Sequence, residues 1–167
     1  MLRARTIRPE EAREVRDLRQ RAADELTRLH GRGHWSSVST VPTLRKHAGA
    51  RTLFAVERDG ALVGTFTLSE KKIGFYHNAW FQEPHAPALY LTNMAIDPAM
   101  QRKRIGRWTM KQIDRAVRDR SLRALRFDAY DSPAGAGAFY QKCGYTLVHR
   151  GAINAVALEY YEKVYQA

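Results

Sequence analysis

Met94-Ala95-Ile96-Asp97-Pro98-Ala99-Met100-Gln101-Arg102-Lys103-Arg104-Ile105-Gly106-Arg107 is the stretch on which the reading of this chain turns. Upstream of it, Ala88 to Ile96 is an apolar run that closes on Asp97-Pro98, the pattern of a buried strand and its end. Downstream, Ile105, Thr109, Ile113, Ala116 and Val117 recur at helical spacing, which predicts a helix from Ile105 to about Arg120. The segment is therefore a strand end, a cationic turn and a helix start. A helix start presents unpaired N–H groups and a partial positive charge, and Gly106 lacks the side chain that would hold an oxygen away. Arg102, Lys103, Arg104 and Arg107 add charge at the same point. By spacing alone, two readings stand: a phosphate-binding turn, or a solvated basic helix end.

Working outward, Leu2 to Ile7 alternates like a strand and meets Pro9-Glu10-Glu11, which suits a first helical turn. Val15, Leu18, Ala22, Leu26 and Leu29 then form one apolar stripe with arginines on the other faces, so this helix packs one side on a sheet. Gly31 and Gly33 break the pattern, and a shorter helix is expected from Val41 to His47. Leu53 to Glu57 and Ala61 to Leu68 flank Asp59-Gly60, the signature of a β-hairpin. Ser69 to Pro87 reads as a loop rich in rings, with Phe75, Tyr76, His77, Trp80, Phe81 and His85, and long loops of this kind are often binding elements. Leu122 to Tyr130 is the next strand, Ala134 to Lys142 a short helix closed by Gly144, and Tyr145 to His149 and Val156 to Tyr161 are closing strands.

A chain of 167 residues with 44% hydrophobic and 27% charged residues has the size and balance of one folded domain. It holds no apolar run of about 18 residues and no secretion signal at its start, so a cytoplasmic location is expected. Cys143 is the single cysteine, which excludes an intramolecular disulfide and a multi-cysteine zinc site. His30 and His34 have the spacing of helical metal ligands, but Gly31 and Gly33 lie between them, and no metal site is expected. The net charge of +11 favours a polyanionic partner such as nucleic acid or a phosphorylated cofactor, or reflects arginines on solvated faces.

Gln101, Arg104 and Gly106 fall where the GCN5-related N-acetyltransferase (GNAT) family has Gln or Arg, then Gly, then Gly or Ala, and the chain resembles that family. Ala136, Phe139-Tyr140, Lys142 and Gly144-Tyr145 are similar to the family's short helix and its Tyr-x-Lys-x-Gly-aromatic turn. Two positions depart. Arg104 replaces the first glycine, which limits a positive φ or close approach there, so that the turn is expected at ordinary φ values. Pro133 stands where the family often has asparagine, leaving Asp131 or Ser132 to supply that contact. The element order matches over nearly the whole chain, and the residue-level match runs from Leu89 to Tyr145.

The resemblance implies an α+β fold in αβα layers: a mixed, mainly antiparallel sheet of about seven strands, flanked by about four helices and splayed between the fourth and fifth strands. It implies one N-acetyltransferase domain over residues 1–167, with acetyl-CoA as co-substrate. The cofactor-binding positions would be Met94, Ala95, Ile96, Gln101, Arg102, Lys103, Arg104, Ile105, Gly106, Arg107 and Tyr140. An acetyl group would pass to a primary amine of a small molecule by direct attack in a ternary complex, which requires a base, a stabilised oxyanion and a protonated leaving thiolate. Tyr140 matches the family's proton donor. The base is open among Glu70, Glu83, His85 and Asp128, of which Glu83 and Asp128 are carried forward as catalytic, or a water chain serves instead. Trp35, Glu70, Tyr76, Trp80, His85 and Tyr90 are the expected acceptor-binding residues, chosen for ring density and charge. A protein N-terminus or lysine is an alternative acceptor. The contrasting reading is a binding protein with a degenerate cofactor site whose basic surface engages nucleic acid. No zinc finger, recognition helix or aromatic RNA-binding signature supports it. Monomer and homodimer are both open.

Overall fold

The computed structural model describes residues 1–166. In chain order the elements are β1 (Leu2–Thr6), α1 (Ala12–His30), α2 (Val41–Gly49), β2 (Leu53–Arg58), β3 (Ala61–Ser69), β4 (Ala88–Ile96), α3 (Ile105–Asp119), β5 (Ala124–Tyr130), α4 (Gly137–Lys142), β6 (Thr146–Ile153) and β7 (Val156–Val164). The strands form one sheet in the order β1-β2-β3-β4-β5-β7-β6. The β1–β2, β2–β3, β5–β7 and β6–β7 pairs are antiparallel and the β4–β5 pair is parallel. This is the mixed, mainly antiparallel sheet with four helices that the resemblance implies. Among the described residues no helix is long and apolar enough to cross a membrane.

Two compact units are distinguished: Met1–Leu68 with Asn93–Thr109, and Ser69–Thr92 with the chain from Met110 on. In the first, Val15, Ala12, Leu44, Ala48, Leu53, Ala55 and Ile7 make one buried cluster. The expected stripe of α1 is buried at Val15 and Leu18 and half-buried at Ala22 and Leu26, whereas Leu29, in the last turn, is 56% exposed. The chain enters α1 through a tight 3-10 turn at Pro9–Glu11 rather than directly. The Glu11 carboxylate causes this, accepting from the Arg8 N–H at 2.8 Å and from both Arg5 Nη atoms at 2.9 and 2.6 Å. The Arg5 hydrogen bonds hold the Glu11 pKa down at about 2. At the β2–β3 turn, Asp59 and Gly60 have φ of 51° and 86°, the doubly left-handed turn that matches strand twist. Gly64 is required by close approach: a Cβ there would lie 2.7 Å from Ile96 Cδ1 and 3.1 Å from the Ala95 carbonyl.

In the second unit the parallel ladder runs from Ala88–Tyr90 against Ala124–Arg126, and Leu91 and Thr92 do not continue it. The segment from Lys71 to Pro87 carries one 3-10 turn at Asn78–Trp80 and is otherwise irregular, as its sequence predicts. It is nonetheless anchored. Arg126 and Glu162 form an ion pair at 3.1 Å whose side chains are 1% and 0% exposed. Arg126 also donates to the Glu83 carbonyl at 2.5 Å and lies over the Phe81 ring at 4.3 Å, while Glu162 accepts from the Gln82 N–H at 2.7 Å. A buried pair hydrogen-bonded on both partners in this way fixes the three loop residues it touches. α4 begins at Gly137 rather than near Ala134, because Gly135 first closes a turn onto the Ser132 carbonyl at 2.9 Å.

Candidate active site

In the first unit, the decisive stretch is positioned from both ends. The Asp97 N–H donates to the Val63 carbonyl at 2.9 Å, and its carboxylate receives Arg21 of α1 at 2.7 Å and the Ala99 N–H at 3.0 Å. Gln101 Nε2 donates to the Ile96 carbonyl at 3.3 Å. The first helical bond of α3 runs from the Trp108 N–H to the Arg104 carbonyl at 3.0 Å, so Ile105, Gly106 and Arg107 have N–H groups with no partner inside the helix.

Arg102 and Arg104 both adopt left-handed backbone, with φ of 61° and 63°. The expectation of an ordinary φ at Arg104 is therefore corrected: the arginine takes the conformation a glycine would have taken, at a cost of about 1–2 kcal/mol. Alternating hands turn successive peptide N–H groups toward one side and form an anion-binding concavity. Gln101 to Arg104 are exposed, Ile105 is buried and Gly106 half-buried, so the concavity opens to solvent while α3 is rooted. Because the turn is left-handed at Arg104, Arg104→Gly should be more stable than Arg104→Ala by about 1 kcal/mol, since only the glycine is relieved of strain. Urea midpoints read at equal slope would check this, and equal midpoints would count against it. Asn93 inside β4 is also left-handed, φ 51°, and just beyond it Met94, Ala95 and Ile96 are half-buried.

In the second unit, Asp128 is the centre of a ring of phenols. The Tyr76 hydroxyl donates to its Oδ2 at 2.5 Å, and Tyr160 faces it across the β5–β7 register. Burial raises the Asp128 pKa, and the Tyr76 bond offsets part of that rise. Tyr76, Tyr130, Tyr140 and Tyr160 are all pushed upward, first by burial and then by the Asp128 charge. The Tyr160 hydroxyl is buried without a partner. Tyr140, on α4, is 8% exposed and stacks among Phe127, Tyr145 and Tyr161, with ring centres at 4.5, 6.4 and 6.0 Å. A buried carboxylate and the Tyr140 phenol thus share one electrostatic neighbourhood. Next to α4, Asp131 lies 3.7 Å from Arg150, and the Ser132 hydroxyl is buried with no partner.

The other expected residues are placed unevenly. Tyr90 and Tyr76 are buried with ring centres 6.0 Å apart, and Trp80 lies 4.7 Å from Tyr160 and stacks on His149 at 4.2 Å. Glu83 is half-exposed and pairs with Arg123 at 3.2 Å; Glu70 lies on the surface 3.6 Å from Arg120; His85 is exposed. Trp35 belongs to the first unit, where its Nε1 donates to the Gly31 carbonyl at 2.9 Å. The sequence reading passed over Tyr130 and Tyr160. Tyr130 was within reach, two residues from Asp128 on the same strand face, whereas Tyr160 depends on strand register.

Residues 12–145 match the family model of the acetyltransferase (GNAT) family. No curated protein matches the chain. Solved structures do: an acetyltransferase of the GNAT family from Streptococcus agalactiae has a TM-score of 0.82 at 13% identity, covering 99% of this chain and 96% of that one. Another from Listeria monocytogenes has a TM-score of 0.77 at 18% identity, covering 98% and 95%. The Salmonella typhimurium protein yncA, solved with its cofactor acetyl-CoA, has a TM-score of 0.70 at 13% identity, covering 98% and 94%.

Proposed function

The chain belongs to the GNAT acetyltransferase family, and from that premise we propose that it works as one N-acetyltransferase domain, transferring acetyl from acetyl-CoA to a primary amine of a small molecule. The observation that carries this reading is the turn of Arg102 and Arg104, with the N–H groups of Ile105, Gly106 and Arg107, which precede the first helical bond, behind it. These amides suit the pyrophosphate of the co-substrate, because both helix start and concavity favour oxyanions. Arg102, Lys103, Arg104 and Arg107 supply the matching charge. Backbone groups of Met94, Ala95 and Ile96 are assigned to the pantetheine and thioester, and the orphan hydroxyl of Ser132 is available for the contact that Pro133 cannot make.

Asp128 is the assigned base. A buried carboxylate whose pKa is raised binds an ammonium group among aromatic walls and takes its proton more readily than an exposed one. The freed amine attacks the acetyl carbonyl, an amide C–N bond forms and the C–S bond breaks. Tyr140 delivers a proton to the departing sulfur, a role for which its raised pKa keeps it protonated at neutral pH. Glu83 is assigned no part, since its carboxylate is engaged with Arg123.

Calorimetric titration with acetyl-CoA at moderate salt tests the reading, with 3′-dephospho-CoA and DNA as controls. Saturable one-to-one binding of acetyl-CoA, followed by thiol release on adding amines, is the expected result. DNA binding that fades as salt rises, with no acetyl-CoA binding, would overturn it in favour of a basic surface that engages nucleic acid.

A further inference from the structure

In the second unit α3 has two unlike faces. Met110, Ile113 and Val117 are buried and root the helix. Opposite them, every exposed residue from Met110 up to Asp119 is a cation: Lys111, Arg115 and Arg118. Spacings of four and three keep the three on one side, about 10 Å from first to last at the rise of a helix. Among the described residues none of them is in an ion pair, although Arg120, Arg123, Arg126, Arg150 and Lys163 of the same unit each face a carboxylate. The acids of α3 do not answer the row. Asp114 is turned to Tyr145 and Lys163, and Asp119 is paired with none of the three. Arg118 is held in place over the Tyr165 ring at 5.2 Å. The outer side of α3 is therefore a line of unmatched positive charge on a firmly packed element.

We propose that Lys111, Arg115 and Arg118 form a docking surface for the phosphate backbone of a duplex nucleic acid, bound without regard to base sequence. The composition of the face decides among polyanions. A protein interface has an apolar core and a membrane contact an apolar wedge. Among the described residues the large hydrophobic side chains that are exposed are Met1, Leu29 and Phe75, none of them on α3. A single strand is held by rings on which its bases stack, and this side of α3 exposes none. What it offers is charge in a row, which fits the regular phosphates of a duplex and carries no means of reading bases. The docking role lies beyond acetyl transfer and does not depend on it, and it gives part of the +11 net charge a partner.

The test is fluorescence anisotropy of short labelled DNA and RNA duplexes over a series of salt concentrations, with the matching single strand and polyglutamate as further probes. The triple variant Lys111→Gln, Arg115→Gln, Arg118→Gln is compared with one of equal net charge, Arg13→Gln, Arg32→Gln, Arg45→Gln, whose exposed cations lie in the first unit. Melting temperatures check that both are folded. For duplex DNA the α3 variant should lose about 2.7 from the slope of log affinity against log salt, about 0.9 for each phosphate contact removed. The control variant should keep a slope close to the parent's, and saturating acetyl-CoA should leave the duplex bound. Either duplex meeting these terms supports the inference. It is overturned if the parent binds neither duplex, if both variants lose slope alike, or if the single strand or polyglutamate binds as tightly. Displacement by acetyl-CoA would also overturn it, since the phosphates would then sit on the turn of Arg102 and Arg104. Duplex binding lost only in the α3 variant, in a protein that binds no acetyl-CoA, would instead defeat the acetyltransferase reading and leave the docking surface standing.

Discussion

Replacing Arg126 with methionine is expected to lower the unfolding free energy by about 3–5 kcal/mol, because Glu162 would remain charged and buried with its partner gone. For a chain of this length that is a fall in melting temperature of about 10 °C or more. The double variant Arg126→Met, Glu162→Met should recover most of the loss, since an apolar pair of similar volume avoids the desolvation of both charges. Two further consequences separate this from a generic core defect. Arg126 holds the Glu83 carbonyl and Glu162 the Gln82 N–H, so amide exchange should accelerate at Gln82 and its neighbours even in the double variant. A single variant as stable as the parent would show that the pair is not desolvated as its 1% and 0% exposures imply.

Tyr140→Phe is expected to reduce kcat by about 100-fold or more, the usual yield of a positioned general acid. Stability should hardly change. The Tyr140 ring stays in its aromatic cluster, and among the described residues its hydroxyl makes no hydrogen bond whose loss would cost the fold. KM for acetyl-CoA should stay near the parent value, because phosphate contacts are made elsewhere. The pH profile adds a check with a definite sign. Burial and the Asp128 charge raise the phenol pKa, so the donor form persists at higher pH than in a free tyrosine. The parent kcat should therefore hold past the ordinary phenol value of about 10. An alkaline limb falling below that value, or a Phe variant with unchanged kcat, would remove Tyr140 from the proton-donor role.

What could be read from the residues follows a physical division. β4 was found with both ends because its apolar run is bounded by Pro87 and by Asp97-Pro98, and the β2–β3 turn because Asp-Gly tolerates two left-handed residues. The start of α4 was misplaced because the Ser132–Gly135 turn borrows residues that also suit a helix. Left-handed backbone at Arg102 and Arg104 was hidden, since arginine gives no local sign of a conformation that the flanking strand and helix impose. Arg126 and Glu162 are charged types that are seldom buried, and only the strand register brings Arg126 opposite Glu162. Arginines were expected on the faces of α1 away from its apolar stripe, and Arg19 corrects this: Val15, Arg19 and Ala23 lie four apart and are all buried. For the site, Tyr140 was named from the resemblance, Asp128 from its strand and Tyr76 from the density of rings around it, while Tyr160 required the tertiary pairing.

The clamp made by Arg126 and Glu162 also divides the aromatic segment by how much change it can absorb. It grips Phe81, Gln82 and Glu83, whereas Lys71, Lys72, Gly74 and Phe75 are exposed and lie outside its reach. Lengthening the chain at Lys71-Lys72 leaves every bond of the clamp in place, ahead of Ile73, which packs against the buried cluster of Tyr76, and loop closure grows only slowly in cost with length. An inserted residue between Phe81 and Glu83 would instead displace the carbonyl and N–H on which two buried charges depend. For anyone redesigning this protein, the first stretch is the place to graft new sequence and the second is the place to leave untouched.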